Sequence, residues 1–366
     1  MEKKVFRRIS FDDLKAFCKG IYERVGVPDE EAEIVADLLA KADLRGVETH
    51  GVTRLPIYIQ RIQKKYVRSV SKMTLINDKG PTTYVEAHGS MGHVVAFKAM
   101  QMAIEKAEEY GIAWVSVKDS GHFGVAGLFP MMALEKDFIG STITNSAPMM
   151  APYGGRERIL GNNPLSYAFP TGEYLPVVVD FSCSVVSSGK LILCRKKGEK
   201  IPLGWAYDKD GLPTEDPYEG YEGGGSLTPM GEHKGYGLAL SHEILTAILT
   251  GGKWTRNIKS LYEEDKTGIQ GTCHSFMALD PDCFIGKENF KKSMDSYIKG
   301  IKESGKAENK REILMPGEPE YRAESERLKG GIPLSPTTVT ELIALGQPFG
   351  LSLPLMESEK PSGGRS

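Results

Sequence analysis

Two histidines stand in glycine-flanked polar turns, Arg45-Gly46-Val47-Glu48-Thr49-His50-Gly51-Val52-Thr53-Arg54 and Ser120-Gly121-His122-Phe123-Gly124. Imidazole titrates near neutral pH, and flanking glycines let the backbone present it where a substrate can approach. The same pattern suits a histidine that only caps its turn, and spacing alone does not separate the two readings. Arg54 lies four residues after His50. On a helical turn both side chains project from one face, which sets an acid or base beside a carboxylate anchor. The plainer reading of Arg54 is a surface salt bridge.

Further polar turns follow: Asn145-Ser146-Ala147-Pro148, Pro152-Tyr153-Gly154-Gly155 and Leu160-Gly161-Asn162-Asn163-Pro164. They fall at strand mouths, where ligands of α/β sheets collect. Gly231-Glu232-His233-Lys234-Gly235-Tyr236-Gly237 opens a helix whose free N–H groups, with Lys234, suit a phosphate. Neither a G-x-G-x-x-G after an early strand nor a G-x-x-x-x-G-K-[ST] is present, so any dinucleotide is held by something other than a Rossmann turn or a P-loop. There is no G-x-S-x-G elbow and no H-E-x-x-H.

The elements that must position these residues are legible as a change of period. Ser10 and Asp13 start a helix with Leu14, Phe17, Ile21 and Val25 on one face, ended by Gly26. Pro28-Asp29-Glu30-Glu31 starts a second, and Leu55 to Lys64 reads as a third. Thr82–Glu86, Ile112–Val117, Ile139–Thr144, Leu165–Phe169 and Val177–Phe181 read as strands, with a helix at His93–Tyr110. Such alternation predicts an α/β lobe around one sheet. Tyr236–Leu249 is apolar around most of its circumference, which predicts a buried helix. Phe276–Leu279 reads as a strand, followed by helices at Phe290–Glu303 and Ser335–Ala344. Arg195-Lys196-Lys197 reads as a solvated turn, and Glu215–Met230 as a long covering loop.

Composition narrows the classes. The 366 residues are 40% apolar and 26% charged, which is ordinary for a globular enzyme of two lobes. A net charge of −2 gives no field for nucleic acid or an anionic membrane. Five dispersed cysteines without a C-x-x-C pair argue against a disulfide framework and a zinc ribbon; no metal site is expected. With no apolar run behind the first residues and no span-length segment, the expectation is a soluble, cytoplasmic protein. Residues alone lead to an α/β enzyme with a histidine and arginine site.

At those residues the chain resembles the malate/L-lactate dehydrogenase family, which is unrelated to the Rossmann enzymes. That family also takes in ureidoglycolate, sulfolactate and diketogulonate oxidoreductases and cyclic imine reductases. The carrying segments are Ala42-Asp43-Leu44-Arg45-Gly46 through His50-Gly51 to Arg54, Gly121-His122, Gly161-Asn162-Asn163-Pro164 and Pro202-Leu203-Gly204-Trp205-Ala206. His233-Lys234-Gly235-Tyr236-Gly237-Leu238 and Met315-Pro316-Gly317-Glu318 complete them, in order, from about Ser10 to about Gly350.

The resemblance implies a two-lobed α/β fold of the sulfolactate-dehydrogenase type. Residues 1–73 with 256–352 would form a helical lobe and 74–255 a mixed-sheet lobe binding the cofactor, with a disordered tail at 353–366. It implies a homodimer that moves hydride between a small 2-hydroxy acid, of malate or L-lactate type, and NAD, with NADP open. By the same resemblance His122 is the proton acceptor and His50 orients substrate or relays protons. Arg54 binds the carboxylate, Ser146 touches substrate, and Asp180, Phe181, Ser182, Lys234, Gly317, Glu318 and Pro319 contact cofactor.

The chain departs from the family pattern at Phe181-Ser182-Cys183, where Met-Ala-Thr is usual after the aspartate, and at Ser187-Ser188, where an alanine-rich pair is usual. Gly268 stands near an arginine position of the ureidoglycolate branch, which counts against that substrate. Two other readings are an NADPH-dependent cyclic imine or keto-sugar-acid reductase and a non-catalytic homologue. A Cys183 nucleophile is disfavoured, because no base stands at a recognisable spacing and cysteine is usually a small buried hydrophobe.

Overall fold

Ser10 caps the first helix as its spacing predicts: its hydroxyl accepts the Asp13 N–H at 3.1 Å and α1 runs Phe11–Arg24, burying Leu14, Phe17 and Ile21. The computed structural model describes residues 6–263 and 269–356. Helix α2 (Asp29–Leu44) starts behind Pro28 with three acids in its first turn, where the helix dipole favours them. Gly46, at φ +82°, turns the chain out of it. Helix α3 spans Leu55–Gln63.

The chain divides into two compact units, one drawing on both chain ends (up to Val70 and from Glu318), the other Ser71–Gly317. The first holds α1 to α3 together with α8 (Glu318–Gly330) and α9 (Pro336–Gly346), and β1 (Arg7–Ile9) pairs antiparallel with β11 (Ile332–Leu334). Helix α8 left no periodic trace in the sequence because none of its residues is buried. Of the expected disordered tail, residues 357–366 lie outside the described residues, as does Gly268, while Met356 donates its N–H to the Arg8 carbonyl at 2.8 Å.

The second unit is built on seven strands: β2 (Thr74–Lys79), β3 (Thr82–Glu86), β4 (Ile112–Ser120), β5 (Ile139–Thr144), β6 (Leu165–Phe169), β7 (Val177–Phe181) and β10 (Thr272–Leu279). Their order is β2-β3-β4-β10-β5-β6-β7. Only β3 and β4 are parallel, joined by the crossover helix α4 (Gly92–Tyr110); every other pair is antiparallel. The sheet is therefore mixed, as expected. The lobe boundary differs from the expected one. The described residues of 256–317 belong with the sheet unit, since β10 is hydrogen-bonded along both edges, to β4 and to β5, and a strand so bonded cannot leave its sheet. Helix α7 (Lys287–Lys302) follows in the same unit.

Three further expectations are revised. Arg195-Lys196-Lys197 is the last turn of helix α5 (Ser188–Lys197), where cations complement the C-terminal dipole, and not a free turn. The Glu215–Met230 stretch is tied down. It contains a turn of π-helix at Tyr218–Glu222, and its strand β9 (Ser226–Leu227) pairs with β8 (Ala206–Tyr207).

Helix α6 (His233–Glu243), continued by a wider turn to Ile248, is not buried all round. Its inward stripe is small or polar (Gly235, Ala239, His242, Thr246), while Leu238, Ile244, Leu245, Ile248 and Leu249 are 37 to 61% exposed. An apolar circumference predicts burial only where the surroundings supply a second wall. Among the described residues no helix is long and apolar enough to cross a membrane.

Candidate active site

The His50 turn belongs to the helical unit and is held by its own neighbourhood. Asp43, at the end of α2, is buried, and its Oδ2 accepts the Val52 N–H at 2.6 Å. A Cβ on Gly51 would lie 2.0 Å from that oxygen, so only glycine passes. Burial raises the Asp43 pKa to about 8; the Val52 N–H pulls the other way, Glu48 adds to the rise and Arg327 opposes it.

The Glu48 carbonyl accepts the Thr53 hydroxyl (2.8 Å), the Thr49 carbonyl accepts Arg54 Nε (2.8 Å), and the Thr49 hydroxyl lies 2.9 Å from His50 Nδ1. His50 and Arg54 come together, but not on one continuous helical turn: Gly51, at φ −92° and ψ −143°, separates two short 3-10 turns. Burial, then the Arg54 charge, pushes the His50 pKa down to about 4, and although the ring keeps partial solvent access, the direction leaves it neutral at pH 7.

His122 belongs to the sheet unit, just past the end of β4. Its N–H donates to Oε1 of buried Gln270 (3.0 Å), and the Gly124 N–H donates to its Nδ1 (3.3 Å), which orients the ring within its loop. Gly92 begins α4 directly against this loop: a Cβ there would lie 2.2 Å from the Gly121 carbonyl oxygen. Behind it, on β10, His274 is buried, with Nδ1 2.7 Å from the Thr144 hydroxyl and its ring edge-on to Phe123. Burial pushes its pKa down to about 3, against a smaller pull from the Gly121 backbone.

Ser146 stands at the mouth of β5. Its N–H donates to Asn163 Oδ1 (3.0 Å) and its hydroxyl to Asn162 Oδ1 (2.9 Å). Cys183 is buried; its N–H donates to the Asn162 carbonyl (2.7 Å), and desolvation raises its thiol to about 12. Burial thus disfavours the thiolate, although the structure brings His242 Nδ1, which no sequence spacing signals, to 3.6 Å from the sulfur.

The sequence profile of the malate/L-lactate dehydrogenase family matches residues 9–343. The chain belongs to that family. It is 40% identical over 351 residues to the malate dehydrogenase of Pyrococcus abyssi, a match covering 94% of this chain and 95% of the relative. It is 32% identical over 322 residues to the (2R)-3-sulfolactate dehydrogenase (NADP(+)) of Chromohalobacter salexigens, covering 88% and 93%. The solved sulfolactate dehydrogenase of Methanocaldococcus jannaschii superposes with a TM-score of 0.88 at 35% identity, over 95% of this chain and 98% of that one. The protein is a dehydrogenase acting on a CH–OH group, moving hydride between a hydroxy acid and a nicotinamide cofactor.

The expected cofactor residues fall into two groups in the family member described here. In the sheet unit, Asp180 Oδ2 accepts the Gly127 N–H (2.8 Å), Phe181 ends the edge strand β7, and the Ser182 hydroxyl lies 3.1 Å from that of Ser184. Gly317, at φ +93°, runs beside the same strand; a Cβ there would sit 3.1 Å from the Val178 nitrogen, which donates to the Pro316 carbonyl. The segment leading into α6 reaches this region too, since the Cys183 carbonyl accepts the Met230 N–H (2.8 Å). Glu318 and Pro319 open α8 in the helical unit.

This donor set fits a dinucleotide: a carboxylate and a hydroxyl for ribose, glycine backbone at close range, and the exposed Lys234 ammonium for phosphate. One part of the expectation is corrected. The N–H groups of Lys234, Gly235 and Tyr236 are already taken by the carbonyls of Gly231, Met230 and Glu232, which leaves the Lys234 side chain as the candidate phosphate donor here. Gln270, His242, His274 and Gly92 escaped the sequence reading. Their partners are distant in the chain, and no local spacing signals them.

Proposed function

We propose that the protein oxidises a small 2-hydroxy acid of the malate or L-lactate type with NAD⁺. The observation that carries this reading is the His50 turn, where Thr49 contacts both side chains, its hydroxyl 2.9 Å from His50 Nδ1 and its carbonyl accepting Arg54 Nε at 2.8 Å. Arg54 takes the substrate carboxylate in charge-assisted hydrogen bonds and His50 orients the hydroxyl-bearing carbon or relays protons. His122 removes the hydroxyl proton as hydride leaves the same carbon, and Ser146 contributes a hydroxyl contact. The bound nicotinamide supplies the hydride acceptor; Asp180, Phe181, Ser182, Lys234, Gly317, Glu318 and Pro319 hold the dinucleotide. The Chromohalobacter relative, named as an NADP(+) enzyme, favours NADP⁺ as the second reading of the cofactor.

The assembly we propose is a homodimer, supported by the bare apolar side of α6. Leu245→Glu with Ile248→Glu is expected to halve the mass measured by light scattering, and an unchanged mass removes that face from the interface. The compartment we propose is the cytoplasm, in keeping with five free cysteines.

Purified protein is to be offered malate, L-lactate, sulfolactate and ureidoglycolate with each oxidised nicotinamide, and cyclic imines and keto-sugar acids with each reduced one, read by the absorbance of the reduced ring. Turnover with malate or L-lactate supports the proposal. Turnover confined to NADPH with cyclic imines or keto-sugar acids replaces it, and tight cofactor binding without turnover on any substrate makes the protein a non-catalytic homologue.

A further inference from the structure

We infer that Asn163 and His242 are positioning residues for the Ser146 loop, with Cys183 as an auxiliary donor in the same buried node. This rests on the reading of Ser146 as a substrate contact.

Asn163 is completely buried and held at φ +29°. Its side chain spans two segments: Oδ1 accepts the Ser146 N–H (3.0 Å) and Nδ2 donates to the Ala239 carbonyl on α6 (2.8 Å). Its own carbonyl accepts two further donors, His242 Nδ1 at 2.8 Å and Cys183 Sγ at 3.1 Å. Residue 163 is thus bonded to the β5 mouth, to two successive turns of α6 and to the segment after β7. Next to it, Gly161 leaves no room for a Cβ, which would stand 2.3 Å from Asn163 Oδ1 and 2.4 Å from the Ser146 carbonyl oxygen.

A backbone in the left-handed region and a buried amide persist only where the surroundings over-determine them; here these four bonds are joined by a side-chain hydrogen bond to Glu243, and the two donors to the carbonyl, Cys183 Sγ and His242 Nδ1, lie 3.6 Å apart. Neither side-chain end of Asn163 is spare for a ligand. Its work is to set Ser146, and through the adjacent Asn162 carbonyl and Oδ1, the rest of the loop. Burial lowers the His242 pKa, so the ring is neutral at pH 7 and serves as an N–H donor.

Cys183 stands where the family pattern has threonine. Its thiol donates to the carbonyl that His242 also reaches, and a thiol is the weaker donor of the two. A strong and a weak donor sharing one acceptor predict unequal effects of removal.

The test uses the full-length protein and three readouts: steady-state kinetics with the 2-hydroxy acid turned over fastest, cofactor binding by fluorescence, and hydrogen exchange of the peptide spanning residues 145–149. His242→Leu is expected to lower kcat/KM for the hydroxy acid by roughly tenfold to a hundredfold and leave cofactor Kd within about threefold, while raising exchange in that peptide. His242→Asn, whose amide nitrogen stands in for Nδ1, is expected to recover most of the loss. Cys183→Ala is expected to cost about twofold to fivefold, recovered by Cys183→Thr.

The inference is overturned if His242→Leu leaves both kinetics and exchange unchanged, or if His242→Asn is as impaired as His242→Leu. Should His242→Leu fail to fold, equal kinetics and exchange for Cys183→Ala and Cys183→Thr overturn it. If the wild type turns over no hydroxy acid, the functional reading fails separately, and the exchange data still decide whether the node holds the loop.

Discussion

The turn that carries His50 and Arg54 and the loops that carry His122 and Ser146 are stabilised in different ways. Around His50 most positioning bonds are short-range in sequence (Asp43 to Val52, Glu48 to Thr53, Thr49 to Arg54), with one distant residue, Arg327 of α8, donating to the Asp43 carbonyl and to the Glu48 carboxylate. Around His122 and Ser146 they come from far away: Gln270 to His122, Asn163 to Ser146, His242 to Asn163, Thr144 to His274. The first region is mainly a local device, shaped once α2 has ended and the chain has turned, and braced from a distance by Arg327. In the second, the Gln270 and His274 bonds exist only after β10 has entered the sheet between β4 and β5, and the Asn163 bonds only after α6 has packed against residues 145–163. The buried titratable groups differ in the same way: an acid raised by burial in one, an imidazole lowered by burial in the other.

The sharpest test of this contrast is His122→Ala. Removing a general base costs typically 10²–10⁴-fold, so turnover is expected to fall by about that factor with cofactor binding retained in a fluorescence titration. An unchanged rate would transfer the role to His50. Arg54→Leu comes next. Loss of charge-assisted hydrogen bonds, about 1.5–3 kcal/mol, predicts a tenfold to hundredfold rise in KM for the hydroxy acid with smaller change in kcat. A fall in kcat at constant KM would mean that Arg54 acts on the transition state alone.

The two buried groups predict opposite pH dependences. Asp43 binds its proton more tightly folded than unfolded, so its contribution is fully present below about pH 4 and is lost as pH rises toward 8. His274 binds its proton less tightly folded, so its contribution is fully present above pH 6.5 and is lost as pH falls toward 3. Inside each window the slope approaches about 1.4 kcal/mol per pH unit. Urea midpoints measured across pH should flatten on the alkaline side in Asp43→Asn and on the acid side in His274→Phe; an unaltered profile in either variant refutes the corresponding assignment. Thr49→Val is the mildest change. It removes one hydroxyl contact to His50, about 0.5–1.5 kcal/mol, for an expected loss of no more than about tenfold in kcat/KM.

Much of the fold was readable from residue order because the relevant signals are local. The Ser10 cap, the acids opening α2 and the alternation of five sheet strands each depend on neighbours within a few residues. Helix α8 was not readable, since it buries nothing, and the exposed side of α6 was misread, since an all-apolar helix does not say which face meets the core. In the site, the glycine-flanked histidines advertised themselves. Gln270 and His242 did not, because a buried amide or imidazole in a polar stretch looks like any other polar residue until its partner arrives.

What the amino-acid order determined unaided is the chemistry available: imidazoles and a guanidinium on turns, a lysine opening a helix, and the periodicities that build the sheet and its helices. Tertiary structure alone decided that β10 sits in the middle of the sheet, that Asn163 joins three segments, and that Cys183 serves as a hydrogen-bond donor. The reason is range. Caps and periodicities act over one or two turns of chain, whereas strand order and buried polar pairing depend on which distant segments share a wall, and no local pattern records that.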